Sequence, residues 1–429
     1  MEGLLKQGKK FTSDSGSEYE VVRLLGSGGQ GEVYEVKSGG KSHALKWYYP
    51  KTATASQRVI LENLISKGEP DSCFLWPQDM ISGEVGQSFG YVMPLRPSNY
   101  KSIVDLMKRR VEPSFKSLCR AAINLCRGFE QLHGMGYAYR DISFGNLFFN
   151  PDNGDVLICD NDNAAPASQD DPTSVYGTPR FMAPEIVLGQ SKPSRTSDQF
   201  SLAVLLFYMF MLNHPLEGQL EANIKCMDIF AMNKLYGSDP VFIWDPNNES
   251  NRPVVGYQDN ALIYWELYPK RLKDLFTRAF TSGLKEPNRR VTTREWKDVF
   301  SHLYFNLNTC RCGAEVFADD ESEHFKCWNC CCDLPTPKAL VIGRSQALLL
   351  KNSELTAHHA NGKHDIDTII GKVVQNPNNP KQWGIKNVSN ENWTYIPKEG
   401  GQLTVAPGRT AAIKVGAQID FGQRIGTIK

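Results

Sequence analysis

The fold is decided by the stretch YRDISFGN at residues 139–146. Asp141 supplies a carboxylate that can take a proton from a hydroxyl, and Asn146 supplies an amide oxygen suited to a metal ion. A further carboxylate, Asp160, ends an apolar run 14 residues after Asn146. The turn sequence PDNG at residues 151–154 lies between them, as a hairpin requires. The sequence therefore predicts a loop and a hairpin that bring a base and metal ligands together.

A glycine-rich stretch, GSGGQGEV at residues 26–33, lies upstream of this site. Glycines let the backbone approach phosphate oxygens closely, and the stretch matches the pattern G-x-G-x-x-G-x-V. A strand rather than a helix follows the last glycine, which argues against a dinucleotide-binding βαβ unit. Lys46 lies on the next strand, where its ammonium group would neutralise phosphate charge. Glu62, in the helix predicted to follow, is expected to pair with Lys46, and Glu69 is the alternative.

The segment after the predicted hairpin closes with GTPRFMAPE at residues 177–185. Asp198 then opens a helix that is apolar on nearly every side. We expect its carboxylate to cap this helix and to accept backbone N–H groups of residues 139–146, which we call the catalytic stretch. Glu185 is expected to form an ion pair with Arg290, and Arg289 is the competing partner.

In this order and spacing, the motifs make residues 15–305 resemble the protein kinase family, of the eukaryotic-like type that is also found in bacteria. The resemblance implies an α+β, two-lobed protein kinase fold that binds ATP and Mg²⁺ and transfers the γ-phosphate to a serine or threonine hydroxyl of a protein. The catalytic residues it implies are Asp141, Lys46, Asn146, Asp160 and Glu62, with Mg²⁺ held by Asn146 and Asp160. The nucleotide contacts it implies are Gly26, Gly28, Gly31, Val33, Ala44, Lys46, Met93, Leu95, Asn146 and Asp160.

The chain departs from the pattern of this family in two places. Asn161 and Asp162 replace the phenylalanine and glycine that normally follow the metal-binding aspartate, and Ser143 replaces a lysine that normally meets the phosphate. Asp162 is interpreted either as a second metal ligand or as a solvated turn residue, and the turn is preferred. A pseudokinase that serves as a binding scaffold is the alternative to an active enzyme. This alternative is disfavoured because the groups needed for phosphoryl transfer are all retained, namely Lys46, Asp141, Asn146 and Asp160.

Regulation by phosphorylation is also implied by the resemblance. Arg140 precedes the catalytic aspartate, and in the family this arginine often pairs with a phosphate on the activation loop. The candidates for that phosphate are Thr173, Ser174 and Thr178, although each is also compatible with an ordinary polar loop residue. The sequence Gly-Thr-Pro at residues 177–179 is typical of serine/threonine kinases.

Six of the 11 cysteines lie between residues 310 and 332. Four of them form a C-x-C pair and a C-x-x-C pair with 14 residues in between, and two such pairs can surround one metal ion. The pattern resembles a zinc ribbon with Zn²⁺ as its structural metal and iron as the alternative. The four expected ligands are Cys310, Cys312, Cys327 and Cys330. Cys331 or Cys332 can replace the last of these, and His324 is a weaker rival.

The sequence after Leu340 changes to short strands and turns. Its motifs resemble, in order, the G-R, S-x-x-H and N-G-T motifs of forkhead-associated domains, all-β sandwiches that bind phosphothreonine peptides. This resemblance implies that Arg344 meets the phosphate, Thr356 bonds it and Asn392 holds the peptide backbone. Thr356 stands in place of serine and Trp393 in place of glycine. A sandwich of this shape without phosphopeptide binding is therefore the alternative.

The predicted organisation is a kinase domain at 1–305, a zinc ribbon at 306–335 and a forkhead-associated-like β-sandwich at 336–429. This combination resembles the kinases of tellurite-resistance-associated phosphorylation systems of bacteria, which work with a metal-dependent phosphatase and a von Willebrand-type partner. The partners implied are protein substrates, with the chain itself as one candidate, a phosphoprotein bound by the C-terminal domain, and a cognate phosphatase.

Composition narrows the remaining classes of partner. The net charge of +1, from 48 basic and 47 acidic residues, predicts no nucleic-acid partner. The most apolar run, residues 202–212, is about half as long as a bilayer-spanning helix, which predicts a buried helix and no membrane partner. The other cysteines are single, as in a reducing compartment, and no signal-peptide pattern is visible. We therefore expect a cytoplasmic protein.

Overall fold

The computed structural model describes residues 3–83, 88–166, 177–318 and 325–429. By its internal contacts the chain divides into two compact units. Unit 1 consists of Met1–Pro113, Asn124–Tyr264 and Asp274–Thr293, and unit 2 consists of Ser114–Ile123, Trp265–Lys273 and Arg294–Lys429. Unit 2 thus includes short segments that lie within the predicted kinase domain.

Unit 1 begins with an antiparallel sheet of six strands in the order β1-β2-β3-β4-β6-β5. Side chains alternate across the strands, so that Val36 and Leu45 enter one core cluster while Tyr48 and Met93 enter another, together with Leu61 of the first helix. The sheet is therefore buried on both faces. The strands are β1 (Lys10–Thr12), β2 (Glu18–Ser27), β3 (Gly31–Ser38), β4 (Lys41–Tyr48), β5 (Asp79–Ser82) and β6 (Phe89–Pro94), and helix α1 is Ala55–Lys67.

The remainder of unit 1 is mainly helical and is organised around α5 (Arg195–Met211), where every residue from Phe200 onwards is buried. The apolar run at residues 202–212 is therefore a buried helix, as predicted. Ser194 caps this helix, and Asp198 lies inside its first turns, so the predicted capping role of Asp198 is wrong. Unit 1 also contains α2 (Ile103–Met107), α4 (Pro184–Val187), α6 (Gln219–Ala222), α7 (Ile229–Asn233) and α10 (Ser282–Lys285). The division between the units falls within α3 (Phe115–Gly134), α8 (Asp259–Leu267) and α9 (Lys270–Ala279), and α11 (Thr293–Phe305) belongs to unit 2 except for its first residue.

Short strands in this helical part lie on either side of the catalytic stretch. Strands β9 (Leu147–Phe149) and β10 (Val156–Ile158) pair antiparallel, with Phe149 opposite Val156, so the PDNG sequence forms the predicted hairpin turn. β7 (Lys101–Ser102) joins the edge of this hairpin, and β8 (Tyr137–Ala138) pairs with β11 (Ala165–Pro166). Among the described residues, no helix combines the length and hydropathy needed to cross a membrane.

In unit 2, two small hairpins precede a β-sandwich. The hairpins pair β12 (Leu307–Thr309) with β13 (Glu315–Phe317) and β14 (Phe325–Lys326) with β15 (Asp333–Leu334). Each hairpin has two of the expected metal ligands in or beside its turn. Buried apolar residues of both hairpins form one small cluster.

The sandwich consists of a six-stranded sheet, in the order β17-β16-β25-β24-β21-β22, and a four-stranded sheet, in the order β18-β19-β20-β23. Both sheets supply residues to one core, including Ile342 and Trp393 from the first and Leu355 and Ile385 from the second. Its elements are β16 (Ala339–Ile342), β17 (Ser345–Leu348), β18 (Glu354–Thr356), α12 (Ala357–Asn361), β19 (Ile369–Asn376), β20 (Asn379–Asn387), β21 (Trp393–Ile396), β22 (Leu403–Val405), β23 (Thr410–Ala412), β24 (Gln418–Asp420) and β25 (Ile425–Ile428).

Candidate functional site

The candidate active site is a cavity of about 890 Å³ in unit 1. This volume lies in the range of small-molecule sites. The glycine stretch, in the β2–β3 hairpin, forms one wall, and a Cβ atom on Gly31 would stand 2.2 Å from the carbonyl oxygen of Trp47, so only glycine fits there. Further lining residues come from the sheet, the segment after β6 and the catalytic stretch: Gly26, Gly28, Val33, Ala44, Lys46, Met93, Leu95, Asp141, Phe148 and Asp160.

These lining residues suit a nucleotide. Val33, Ala44 and Leu95 offer apolar surface for a base, and Met93 lies opposite Ala44 on the paired strand β6. Lys46 and Asp160 supply charge for phosphates and a metal ion at another part of the same wall. The structure thus brings together in one cavity most of the residues that the sequence assigned to nucleotide binding.

Lys46 is almost fully buried, and its ammonium group has three partners. Its Nζ donates to Oδ2 of Asp162 at 2.8 Å, to Oδ1 of Asp160 at 3.3 Å and to Oε1 of Gln30 at 3.0 Å. Burial by itself would lower the pKa of Lys46, but the two carboxylates outweigh this effect and raise the pKa above its ordinary value. Lys46 is therefore held as a cation.

The predicted pairing of Lys46 with Glu62 is not found. Helix α1 turns Leu61 and Leu64 towards the core, which leaves Glu62 on the solvent side of the helix. There Glu62 pairs with Arg58 at 2.8 Å, one helical turn away, and half of its side chain is exposed. Glu69, the alternative, is also exposed and lies beyond the end of α1. The helix residue that reaches the site is instead Gln57.

Asp162 differs from the interpretation that the sequence favoured. Its side chain is wholly buried, so it is not a solvated turn residue, and its Oδ2 accepts from Lys46 and from the hydroxyl of Tyr48. Gln57 donates to the backbone oxygen of Asp162 at 2.9 Å. Asn161, at the position of the usual phenylalanine, is buried as well, and its amide donates to the backbone oxygens of Leu75 and Ile158 at 2.9 and 3.0 Å.

The carboxylate of Asp141 is oriented from two sides. The hydroxyl of Thr178 donates to its Oδ1 at 2.9 Å, and Nδ2 of Asn146 donates to its Oδ2 at 3.1 Å and to its backbone oxygen at 2.9 Å. Because the amide nitrogen of Asn146 is engaged in this way, its amide oxygen is the atom left for a metal ion. Together with the half-exposed carboxylate of Asp160, this donor set suits Mg²⁺, which prefers oxygen ligands.

The backbone of the catalytic stretch is anchored as predicted. Asp198 accepts the N–H groups of Tyr139 at 2.7 Å and Arg140 at 2.9 Å, and it also bonds Nε2 of His133 at 3.0 Å. The predicted ion pair between Glu185 and Arg290 is confirmed in bidentate form, at 2.7 and 2.8 Å. The competitor Arg289 pairs with Glu286 instead.

Ser143, Arg140 and the candidate phosphorylation sites differ in their surroundings. Ser143 is buried, and its backbone oxygen accepts the N–H of Asn146. Arg140 is also buried, and its Nη2 donates to the backbone oxygen of Pro166 at 3.1 Å. Thr173 and Ser174 lie outside the described residues. Thr178 already bonds Asp141, which assigns its hydroxyl a structural partner.

The cysteine cluster forms a second candidate site. The thiol sulfurs of the four expected ligands, Cys310, Cys312, Cys327 and Cys330, all lie within 4.8 Å of one another. A zinc ion bound to four thiolates at about 2.3 Å would place the sulfurs about 3.8 Å apart, so the arrangement fits this metal. Backbone hydrogen bonding at Ala314 lowers the pKa of the Cys312 thiol to about 6, which favours the metal-binding thiolate.

Among the alternative ligands in the described part of the chain, Cys332 comes close. The sulfur of Cys332 lies 3.3 Å from those of Cys310 and Cys330. Cys331 is exposed and, within the described part of the chain, has no such sulfur contact. His324 lies outside the described residues.

The residues implied for phosphopeptide binding lie in two loops of the sandwich and at the end of strand β18. Arg344 is exposed in the turn between β16 and β17, and Asn392 is exposed just before β21. Thr356 is only 2% exposed, and its hydroxyl lies 3.4 Å from Nδ1 of the buried His359. Its burial argues against a direct bond from this hydroxyl to a phosphate.

A glycine-walled cavity between an antiparallel sheet and a helical region, with a buried lysine and an oriented aspartate, is the architecture of a protein kinase. The family model of the protein kinase domain matches residues 19–305. The match covers more than half of the chain, which therefore belongs to the protein kinase family.

Several curated proteins are similar over the same region. The probable serine/threonine-protein kinase CCRP1 of Zea mays is 29% identical over 219 residues, which cover 49% of this chain and 34% of that protein. The serine/threonine-protein kinase SCH9 of Saccharomyces cerevisiae is 28% identical, covering 45% and 24%. The serine/threonine-protein kinase PknD of Chlamydia trachomatis is 23% identical, covering 49% and 26%. The chain thus spans about a third or less of the length of these relatives.

Sequence reasoning missed several residues of the site. Gln30, Tyr48 and Gln57 all bond the group around Lys46, and Thr178 bonds Asp141. Gln30 and Thr178 lie inside motifs that the sequence had already marked. Gln57 lies on the apolar face of α1, one turn before Leu61, and this spacing could have indicated it, whereas Tyr48 carries no such local signal.

Proposed function

We propose that the chain is an active serine/threonine protein kinase that transfers the γ-phosphate of Mg·ATP to protein hydroxyls. The observation that carries this proposal is the orientation of Asp141, whose two carboxylate oxygens are bonded by Thr178 and Asn146 beside the nucleotide-sized cavity. A carboxylate held in this way is placed to receive a hydroxyl proton.

The proposed roles follow the chemistry of each group. Asp141 orients the substrate hydroxyl, and Lys46 neutralises phosphate charge. Asp160 and the amide oxygen of Asn146 would hold Mg²⁺, which spreads the charge that develops during transfer. Because phosphoryl transfer depends mostly on positioning and electrostatics, the loss of the family's lysine at Ser143 lowers the rate without removing the reaction.

The test is incubation of the full chain with γ-labelled ATP and Mg²⁺, with phosphosites mapped by mass spectrometry. Label on serine or threonine that Asp141→Asn abolishes would support the proposal. A chain that binds Mg·ATP in calorimetry but labels neither itself nor a generic acceptor would be a pseudokinase scaffold, the alternative function. Asp160→Ala should also abolish transfer while leaving the fold intact.

We further propose roles for unit 2 and a cellular setting. The four cysteines would bind one Zn²⁺ in a structural site, supported by their mutual distances.

The sandwich would bind a phosphoprotein through exposed Arg344 and Asn392, with buried Thr356 supporting the binding surface from inside. A cytoplasmic role in bacterial signalling, with a cognate phosphatase, is the setting that the combination of modules supports. The role of the sandwich is tested by measuring binding of a phosphothreonine peptide, which Arg344→Ala should abolish.

A further inference from the structure

Asp160 and Asp162 both contact Lys46, but they differ in their exposure to water. The side chain of Asp162 is 0% exposed, whereas that of Asp160 is 40% exposed and faces the cavity. Charges removed from water interact more strongly than exposed charges, because water no longer screens them. The pair between Lys46 and Asp162 is therefore the permanent one, and Asp160 is the partner that can turn to another cation.

We propose that Asp162 is the positioning residue that holds Lys46 ready for phosphate binding, in the place where a helix glutamate was expected. This inference rests on the proposed kinase function and deepens it. Its consequence is that the lysine and the metal-binding aspartate are aligned by one short turn, residues 160–162. Helix α1 contributes no charge to the pair.

The position of Asp162 is determined by several contacts around it. The hydroxyl of Tyr48 donates to the same oxygen that accepts from Lys46, and Gln57 donates to the backbone oxygen of Asp162. The preceding residue, Asn161, is tied to the backbones of Leu75 and Ile158. A residue bonded through its own side chain and backbone and through its neighbour has little freedom to leave the lysine.

The arrangement also explains why Asn161 and Asp162 depart together from the family's pattern. The usual phenylalanine and glycine leave a turn that can repack. Here an asparagine bonds the turn to strand β10 and to the segment before β5, and an aspartate inserts a charge under Lys46. The two substitutions together make a turn that supplies its own counter-charge to the lysine.

The first experiment compares Asp162→Asn with wild type in the full chain. We expect kcat/KM for Mg·ATP to fall about 100-fold, because asparagine keeps the shape but leaves Lys46 without its buried counter-charge. Glu62→Gln tests the competing assignment, in which Glu62 holds Lys46. Its kcat/KM should stay within about twofold of the wild-type value. Asp152→Asn, at an exposed acid in the hairpin turn, is the matched control for the substitution itself.

A second measurement separates positioning from a general effect on folding. The dissociation constant of Mg·ATP is measured by calorimetry for Asp162→Asn alone and in a Lys46→Met background. If Asp162 acts through Lys46, the variant weakens binding about tenfold in the wild-type background and has no further effect once the lysine is gone. An equal loss in both backgrounds would mean that Asp162 is only structural and would overturn the inference.

Tyr48→Phe keeps the test decisive if Asp162→Asn does not fold. It removes one hydroxyl that donates to Asp162 while leaving the carboxylate, and we expect kcat/KM to fall about fivefold. A normal value for Tyr48→Phe together with a large loss for Glu62→Gln would overturn the inference. If wild type transfers no phosphate, the proposed function fails instead, and the calorimetric comparison still decides the role of Asp162.

Discussion

Glu185→Ala breaks a buried ion pair whose cost can be worked out from the structure. Arg290 donates two hydrogen bonds to the carboxylate of Glu185, and the arginine and glutamate side chains are 2% and 17% exposed. In the variant the guanidinium stays buried. Its remaining acceptors are the backbone oxygens of Gly283 and Thr196.

The expected magnitude follows from this loss of compensation. Removing one partner of a buried pair costs about 3–5 kcal/mol, because the remaining charge has lost its counter-charge but not its burial. Arg290 keeps two backbone acceptors, and Glu185 is not completely buried. We therefore expect a loss near the lower end, about 3 kcal/mol in the free energy of unfolding.

The assay is urea denaturation of the full chain, followed by circular dichroism. Glu286→Ala is the matched control, because Glu286 pairs with the neighbouring Arg289 at 3.0 Å while both side chains are more than half exposed. That variant should lower the free energy of unfolding by less than about 0.5 kcal/mol. A loss below about 1 kcal/mol for Glu185→Ala, or equal losses for the two variants, would refute the reasoning from burial.

Three further predictions concern the active site, the metal and unit 2. Thr178→Val should lower kcat about tenfold because Asp141 loses an orienting hydroxyl, whereas Thr178→Ser should not; equal kcat values for the two variants would contradict this. Elemental analysis should find one zinc per chain, and Cys310→Ser should lose it; bound iron would correct the metal. Burial lowers the pKa of His359 to about 3, so the unfolded state takes up a proton first as the pH falls below about 6.5. The free energy of unfolding of unit 2 should therefore decline between pH 6.5 and 3, and this histidine should contribute about 1.4 kcal/mol per pH unit. His359→Leu should reduce that slope in acid titrations followed by circular dichroism.

The kinase fold was predictable because its functional residues lie in short contiguous motifs. Asp141 and Asn146 lie on one loop, and the hairpin that places Asp160 nearby is only a few residues long. Local geometry alone brings such groups together. The same holds for the cysteines, since two tight turns are enough to gather four thiols.

The partner of Lys46 was predicted wrongly, and the reason is helix phase. The apolar spacing located α1 and its buried face, but Glu62 was assigned from the order of the kinase motifs, which does not specify the phase of the helix. Packing of Leu61 and Leu64 turned Glu62 outwards and brought Gln57 to the site. A shift of a few positions around a helix is invisible to motif spacing, yet it decides which side chain is buried.

By itself, the sequence predicted a glycine-walled cavity, an aspartate that lines it and, later in the chain, a thiol cluster, because each feature depends on residues close together in the chain. The tertiary structure alone decided which carboxylate lies under Lys46. Asp160, Asp162 and Glu62 are chemically similar, and they differ only in how far the packing of the sheet, α1 and the turn removes each from water. Burial is a collective property of elements distant in sequence, and the strength of a charge pair depends on it.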